Sequence, residues 1–229
     1  DAHSPYSGPP VIHDGQVSLD SRGWVVAFTD GSADGTSMRS TARAGWGVFY
    51  REGSVHNLGR YLSGPVQSST RAELRALLEV FRTASTPTRA IVDCKYVVDK
   101  ANAVIDGTHV DFDKLPDSDL WKLLKAEIDA KGSHRFQVDW IPSHLADEGQ
   151  DAKRLKHADH PLNIPYYIQG NAQADVLAEQ GRLQRLLPLN LLHEHRDRQI
   201  LTWTVQEMML RIWQNYEGGK PDLDCDNDA

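Results

Sequence analysis

Residues 24–35, WVVAFTDGSADG, constrain this chain more than any other stretch. Trp24, Val25, Val26, Ala27 and Phe28 form an apolar run of largely β-branched and aromatic residues. Such a run predicts a strand buried on both faces, as at the centre of a sheet. It stops at Asp30. Gly31 and Gly35 then predict a tight turn at the strand's carboxyl end, where backbone can approach a ligand closely, and Ser32 adds a hydroxyl and an amide beside the carboxylate. An isolated Asp-Gly is commonly no more than an Asx turn, so the meaning of Asp30 depends on what stands elsewhere in the chain.

The elements that follow are legible from their periods. Ala44–Tyr50 reads as a second strand, Arg51–Ser54 as a hairpin turn and Val55–Leu62 as a third strand, which together predict an antiparallel meander. Thr70-Arg71-Ala72-Glu73 reads as a capping box opening a helix whose apolar stripe is Leu74, Leu77, Leu78 and Phe81. Ala90-Ile91-Val92 is a short apolar strand ending at Asp93. A helix with Val97, Ala101, Val104 and Ile105 on one face follows at once. After an acidic loop, Asp106–Asp119, the residues Leu120, Trp121, Leu124 and Ile128 mark another helix, closed at Lys131-Gly132. Phe136, Val138 and Trp140 give the last strand. The order predicts an α/β fold with a mixed five-stranded sheet, three antiparallel strands and then parallel ones, flanked by helices.

Three segments stand apart from that core. Residues 1–22, rich in Pro, Gly, Ser and Asp, read as an arm or linker. Residues 145–168 form a polar loop without a clear period, inside a domain spanning residues 23–182 in which Gly170-Asn171 caps the final helix. Residues 183–229 form a helical extension with an acidic tail. The stripe Leu201, Val205, Met208, Ile212 and Tyr216, widened by Trp203, Met209 and Trp213, predicts a helix packed on the domain.

Composition narrows the function. The net charge of −7 excludes a global basic surface, so any contact with nucleic acid must be local or ion-mediated. The two cysteines, Cys94 and Cys225, make neither a disulfide framework nor a zinc spacing, and predict reduced thiols in an intracellular, non-secreted protein. No apolar run approaches a membrane span and no signal-peptide pattern is present, so no membrane partner is expected. Beginning at Asp1 rather than Met, the chain reads as a piece of a longer polypeptide.

Four carboxylates occupy informative places. Asp30 and Asp93 each end a central strand, Glu73 lies in the first turns of one helix and Asp175 near the start of another. Singly, each has a structural explanation as a cap or a helix N-terminal acid. Ligands of open α/β sheets, however, bind at the carboxyl ends of strands, where Asp30 and Asp93 both emerge. Like charges ~4 Å apart repel by about 4 kcal/mol at an effective dielectric of 20, so a cluster of four requires a cation. Oxygen ligands without Cys select Mg²⁺, with Mn²⁺ as a substitute, and a pair of such ions suits hydrolytic phosphoryl transfer.

The motifs FTDGS, TRAEL, VDCKYVVD, IPSH and GNAQAD, in this order, resemble those of type 1 ribonuclease H over roughly residues 23–182. The resemblance implies that Asp30 bridges two Mg²⁺ ions and that Asp175 completes the site of the ion activating water. It implies that Glu73 and Asp93 complete the other site, and that His144 assists proton transfer or product release. The substrate it implies is an RNA/DNA hybrid, contacted by Gly31, Ser32, Ser68, Ser69, Thr70 and by Asn171, which also caps its helix. Ser68, Ser69 and Thr70 stand where the cellular enzymes carry Thr-Asn-Gln, and the acidic Asp106–Asp119 replaces their basic protrusion. Both departures fit a domain joined to a reverse transcriptase, which holds the duplex for it. The competing readings are a non-catalytic module bracing a larger polymerase and a nuclease of the same fold acting on DNA. Among the remaining histidines, His157, His160, His193 and His195 are expected to be solvated or capping rather than metal ligands.

Overall fold

The computed structural model describes residues 11–13, 15–35 and 41–217. Cys225, the acidic tail, most of the loop after Gly35 and the first ten residues of the expected arm lie outside them. Among the described residues seven strands form one mixed sheet: β1 (Val11–His13), β2 (Val17–Leu19), β3 (Val25–Asp34), β4 (Arg43–Phe49), β5 (Leu58–Tyr61), β6 (Thr88–Val92) and β7 (Phe136–Trp140). The helices are α1 (Ser69–Thr83), α2 (Lys95–Ile105), α3 (Ser118–Lys131), α4 (Asp151–Lys156), α5 (Pro165–Leu183) and α6 (Leu189–Glu217).

The five core strands follow the expected order. β3, β4 and β5 are antiparallel neighbours, while β6 runs parallel to β3 and β7 parallel to β6. Two differences matter. Part of the expected arm is strand: β1 and β2 form a hairpin, and β2 pairs with the start of β3, with Ser18 opposite Val26. Because β6 occupies the other edge of β3 there, β2 takes the edge that β4 leaves open before Phe28. The buried Asp20 closes the turn by accepting the amides of Arg22 and Trp24 at 2.9 and 3.0 Å. The third strand is also shorter than expected. Asn57 accepts the Tyr50 amide and donates to the Arg51 carbonyl, which extends the turn to Leu58.

The sheet buries both faces. Ala44, Trp46 and Val48 pack with the stripes of α1, α2 and α3 on one side. Val26, Phe28 and Ile91 pack with Tyr167 and Ala174 of α5 on the other. Buried Arg89 of β6 spans this second core: it pairs with Asp139 of β7 and donates to the Tyr167 hydroxyl at 3.1 Å. Alternation along β4 turns Gly45 and Gly47 toward α5. A Cβ at Gly45 would fall 2.0 Å from the Arg182 nitrogen, one at Gly47 2.3 Å from the Ala174 oxygen, and one at Gly59 of β5 2.5 Å from the Leu177 oxygen. Helix α5 therefore rests on bare strand backbone, closer than any side chain permits.

A second compact unit begins at Leu187 and holds α6. Its charges pair within the helix, Glu194 with Arg198 and Glu207 with Arg211. Leu201, Val205, Met208, Ile212 and Tyr216 are exposed along this helix. No described helix is long and apolar enough to cross a membrane.

A methyl at position 47 would meet helix backbone at Ala174 and Ala178 before anything else. Gly47→Ala is expected to lower stability by about 1–3 kcal/mol, read as a reduced denaturant midpoint at unchanged m-value.

Candidate active site

Asp30 is not at the end of its strand, as the Asp-Gly pair had implied. β3 continues to Asp34, paired with β4 throughout, but its pairing with β6 stops at Thr29 opposite Val92. Asp30 thus occupies the first position beyond the point where β6 turns away into Asp93. A notch opens between the two chains, and both carboxylates emerge at it. The Gly31 amide donates to Asp30 Oδ1 at 2.7 Å and fixes the side chain.

Helix α1 brings Glu73 to the same notch. Its N-cap is Ser68, whose hydroxyl accepts the Arg71 amide at 3.2 Å, rather than Thr70 as the capping-box spacing predicts. Glu73 consequently lies past the first turn and has no capping duty, which leaves its carboxyl to point inward, 3% exposed. Gly31 makes this approach possible: a Cβ there would lie 2.4 Å from the Glu73 nitrogen and 2.7 Å from the Ser69 carbonyl oxygen. The Ser69 hydroxyl donates to the Gly31 carbonyl at 2.6 Å and ties helix to strand.

Oxygens of Asp30, Glu73 and Asp93 all lie within 4.8 Å of one another. The expectation that Gly170-Asn171 caps the last helix is not met. α5 opens at Pro165, so Asn171 and Asp175 stand one turn apart well inside it. Asn171 is buried and donates a long 3.4 Å hydrogen bond to Asp93 Oδ2. Asp175 lines one cleft with Asp30, Asp93, Asn171 and His144. Residues 145–168 are not a structureless loop, for they contain α4 and the start of α5. His144 opens this segment with a left-handed backbone, φ +55°, and its Nδ1 lies 3.4 Å from Asp147 Oδ2.

The electrostatics of the cluster follow from burial. Desolvation, with repulsion from Asp93 and Asp175, raises the Asp30 pKa to about 7, against hydrogen bonds from Glu73 and Gly31 that lower it. Burial raises Glu73 well above the carboxylate range, and Asp30 and Asp93 reinforce this. Asp93 is raised by burial also, offset by the hydrogen bonds of Asn171 and Glu73. In addition, Glu73 Oε2 is buried with no hydrogen-bond partner. An all-oxygen set of acids, drawn together at a cost and holding an unsatisfied oxygen, fits a hard divalent cation.

The other expected contact residues have local bonds. The Ser32 hydroxyl accepts Arg182 Nε of α5 at 3.1 Å, and the same guanidinium pairs with Asp34. Ser68 caps α1 and Ser69 holds Gly31, whereas Thr70 is partly exposed on the first turn. Sequence reading missed Gln67, whose buried amide accepts from Ala44 and donates to the Leu62 and Gly64 carbonyls, fixing the approach to α1. It also missed Arg71, which pairs with Asp117 and Asp119 and so neutralises part of the acidic loop. A polar side chain that bridges two elements adds nothing to an apolar period, so nothing local marked either. His157 and His160 set their rings edge-on to Trp140, and the Trp140 indole N–H donates to the Asp93 carbonyl at 2.9 Å.

The family model described as RNase H matches residues 22–182. No curated protein matches the sequence. Among solved structures, the RNase H domain of PFV is 23% identical, with a TM-score of 0.50 over 69% of this chain and 93% of that one. The foamy viral protease-reverse transcriptase solved in complex with RNA/DNA hybrid is 20% identical, with a TM-score of 0.52 over 78% of this chain. A mutant of the prototype foamy virus protease-reverse transcriptase is 21% identical, with a TM-score of 0.51 over 76% of this chain. The chain spans 23% and 22% of those two longer proteins. At these identities the likeness is one of fold.

The raised pKa of Asp30 has a thermodynamic consequence for the ion-free protein. Its folded value, about 7, exceeds the ordinary 3.8, so the folded state holds the proton more tightly and stability declines as pH rises between these values. Asp30→Asn removes the charge. In chelator at pH 8 the variant is expected to be more stable than wild type by on the order of a few kcal/mol, and the advantage should vanish below pH 4. Melting temperatures across that range check it; equal values at pH 8 would show that the carboxylate is not under strain.

Proposed function

The chain belongs to the RNase H family, and on that footing we propose that it is a metal-dependent endonuclease hydrolysing the RNA strand of RNA/DNA hybrids to 5′-phosphate and 3′-hydroxyl ends. The observation that carries the reading is the group formed by Asp30, Glu73 and Asp93, whose oxygens lie within 4.8 Å while Glu73 Oε2 has no partner. A bound pair of Mg²⁺ ions would supply an activated water and charge stabilisation at the leaving oxygen.

The chain's own residues then divide the work. Asp30, central among the acids and clamped by the Gly31 amide, would be shared by the ions. Glu73 and Asp93 would help to hold one of them. Asp175, which is outside that closest group but on the same cleft, would help to hold the other. Asn171 orients Asp93. His144, across the cleft, moves a proton near the leaving group. Gly31, Ser32, Ser68, Ser69 and Thr70 line the approach of the hybrid, with the hydroxyls of Ser68 and Ser69 acting chiefly through the backbone geometry they fix.

We further propose that a reverse transcriptase domain of the same polypeptide is the working partner. A chain of net charge −7 provides little of the phosphate term that dominates affinity for nucleic acid. The relatives of matching fold include protease-reverse transcriptases.

Labelled RNA/DNA hybrid, double-stranded RNA and duplex DNA, each with Mg²⁺, with Mn²⁺ or with chelator, test the proposal. Cleavage is expected only in the RNA of the hybrid and only with metal. Asp30→Asn is expected to reduce it at least about a thousandfold without unfolding the protein. Cleavage of duplex DNA would move the substrate class, and no cleavage with either metal would sink the catalytic reading.

A further inference from the structure

The turn carrying His144 is held from outside the cleft. Arg154 of α4 reaches back to it with two nitrogens: Nε donates to the Leu145 carbonyl and Nη2 to the Asp147 carbonyl at 3.2 Å. The third, Nη1, pairs with Asp151 at 2.9 Å. The adjacent Lys153 donates to the Ser143 hydroxyl at 3.3 Å, so residues on both sides of His144 are fixed by consecutive positions of one short helix. That helix is fixed in turn by Asn163, whose amide donates to the carbonyls of Arg154 and His157 at 3.1 and 2.9 Å, two residues before α5 begins. A tether thus runs from the His144 turn through α4 to the helix bearing Asn171 and Asp175.

His144 needs such support. A left-handed backbone at a non-glycine residue costs roughly 1 kcal/mol or more, and it persists only where the surroundings enforce it. With Nδ1 toward Asp147, Nε2 is the nitrogen left for a bound phosphodiester. Holding two carbonyls on the far side of the turn suits the planar fork of arginine, whereas a lysine ammonium can only act as a single point.

We propose that Arg154 is a positioning residue for His144: it sets the imidazole at the carboxylate cleft and acts on turnover only through it. The inference rests on the nuclease reading for its kinetic part and on the tether alone for its structural part.

The test compares wild type, Arg154→Met, Arg154→Lys, His144→Ala and the double variant His144→Ala with Arg154→Met on RNA/DNA hybrid. Arg154→Met is expected to lower kcat between about tenfold and a hundredfold at nearly constant KM. Lysine should restore only part of that loss, and in the His144→Ala background the same substitution should change nothing. An equal loss in both backgrounds, or an unchanged kcat, overturns the proposal. Histidine ring NMR spectra give a readout independent of activity: the His144 signals should shift in Arg154→Lys while those of His157 and His160 hold. Unmoved His144 signals overturn the proposal even if the wild type proves inactive on every nucleic acid, an outcome that by itself refutes only the nuclease reading.

Discussion

Three acidic side chains whose oxygens lie within 4.8 Å of one another in a largely buried notch oppose the fold that gathers them. Burial penalises the charge on each of Asp30, Glu73 and Asp93, and repulsion among the acids of the cleft adds to that cost, only partly offset by the hydrogen bonds of Glu73, Gly31 and Asn171. The rest of the domain is the apparatus that enforces this arrangement. β3 supplies a rigid centre paired on both edges, and the early departure of β6 opens the notch beside it. α1 is drawn in at Gly31 and α5 at the bare backbone of β4, so helices from opposite faces of the sheet deliver acids to one edge. Without a cation this is stored unfavourable energy; with one, the same repulsion becomes affinity.

Much of this was readable in the amino-acid order. Strands with strong apolar runs, and helices with clear stripes such as Leu74, Leu77, Leu78 and Phe81, appeared where their periods put them, because burial of those faces dominates the local energetics. Asp30 and Asp93 stood out for a different reason: in the sequence each follows an apolar run whose end suggests a boundary. What failed was the reading of those boundaries. Asp30-Gly31 looked like a turn because Gly permits turns, but here Gly is needed for the absence of a side chain in a continuing strand. Thr70 to Glu73 has the spacing of a capping box, but Ser68 wins the cap, and that releases Glu73 for the site.

Two further misses share a cause. Residues 11–19 looked like linker because three-residue strands are too short to show alternation, and their register comes from the open edge of β3 rather than from their own pattern. The tether through Arg154 and Asn163 consists of side chains bonded to carbonyls, contacts without periodicity.

The glycine seat beneath α5 has a mechanical meaning. Where helix backbone rests on strand backbone, the separation is a hard stop, set by covalent geometry and van der Waals radii rather than by interlocking side chains. Such a joint has no rotamers to sample and no methyl groups to repack, so it has little room to give. Asp175 and Asn171 therefore ride on a datum surface, and the span from the β4 backbone to the acids of the cleft behaves as a fixed dimension of the fold.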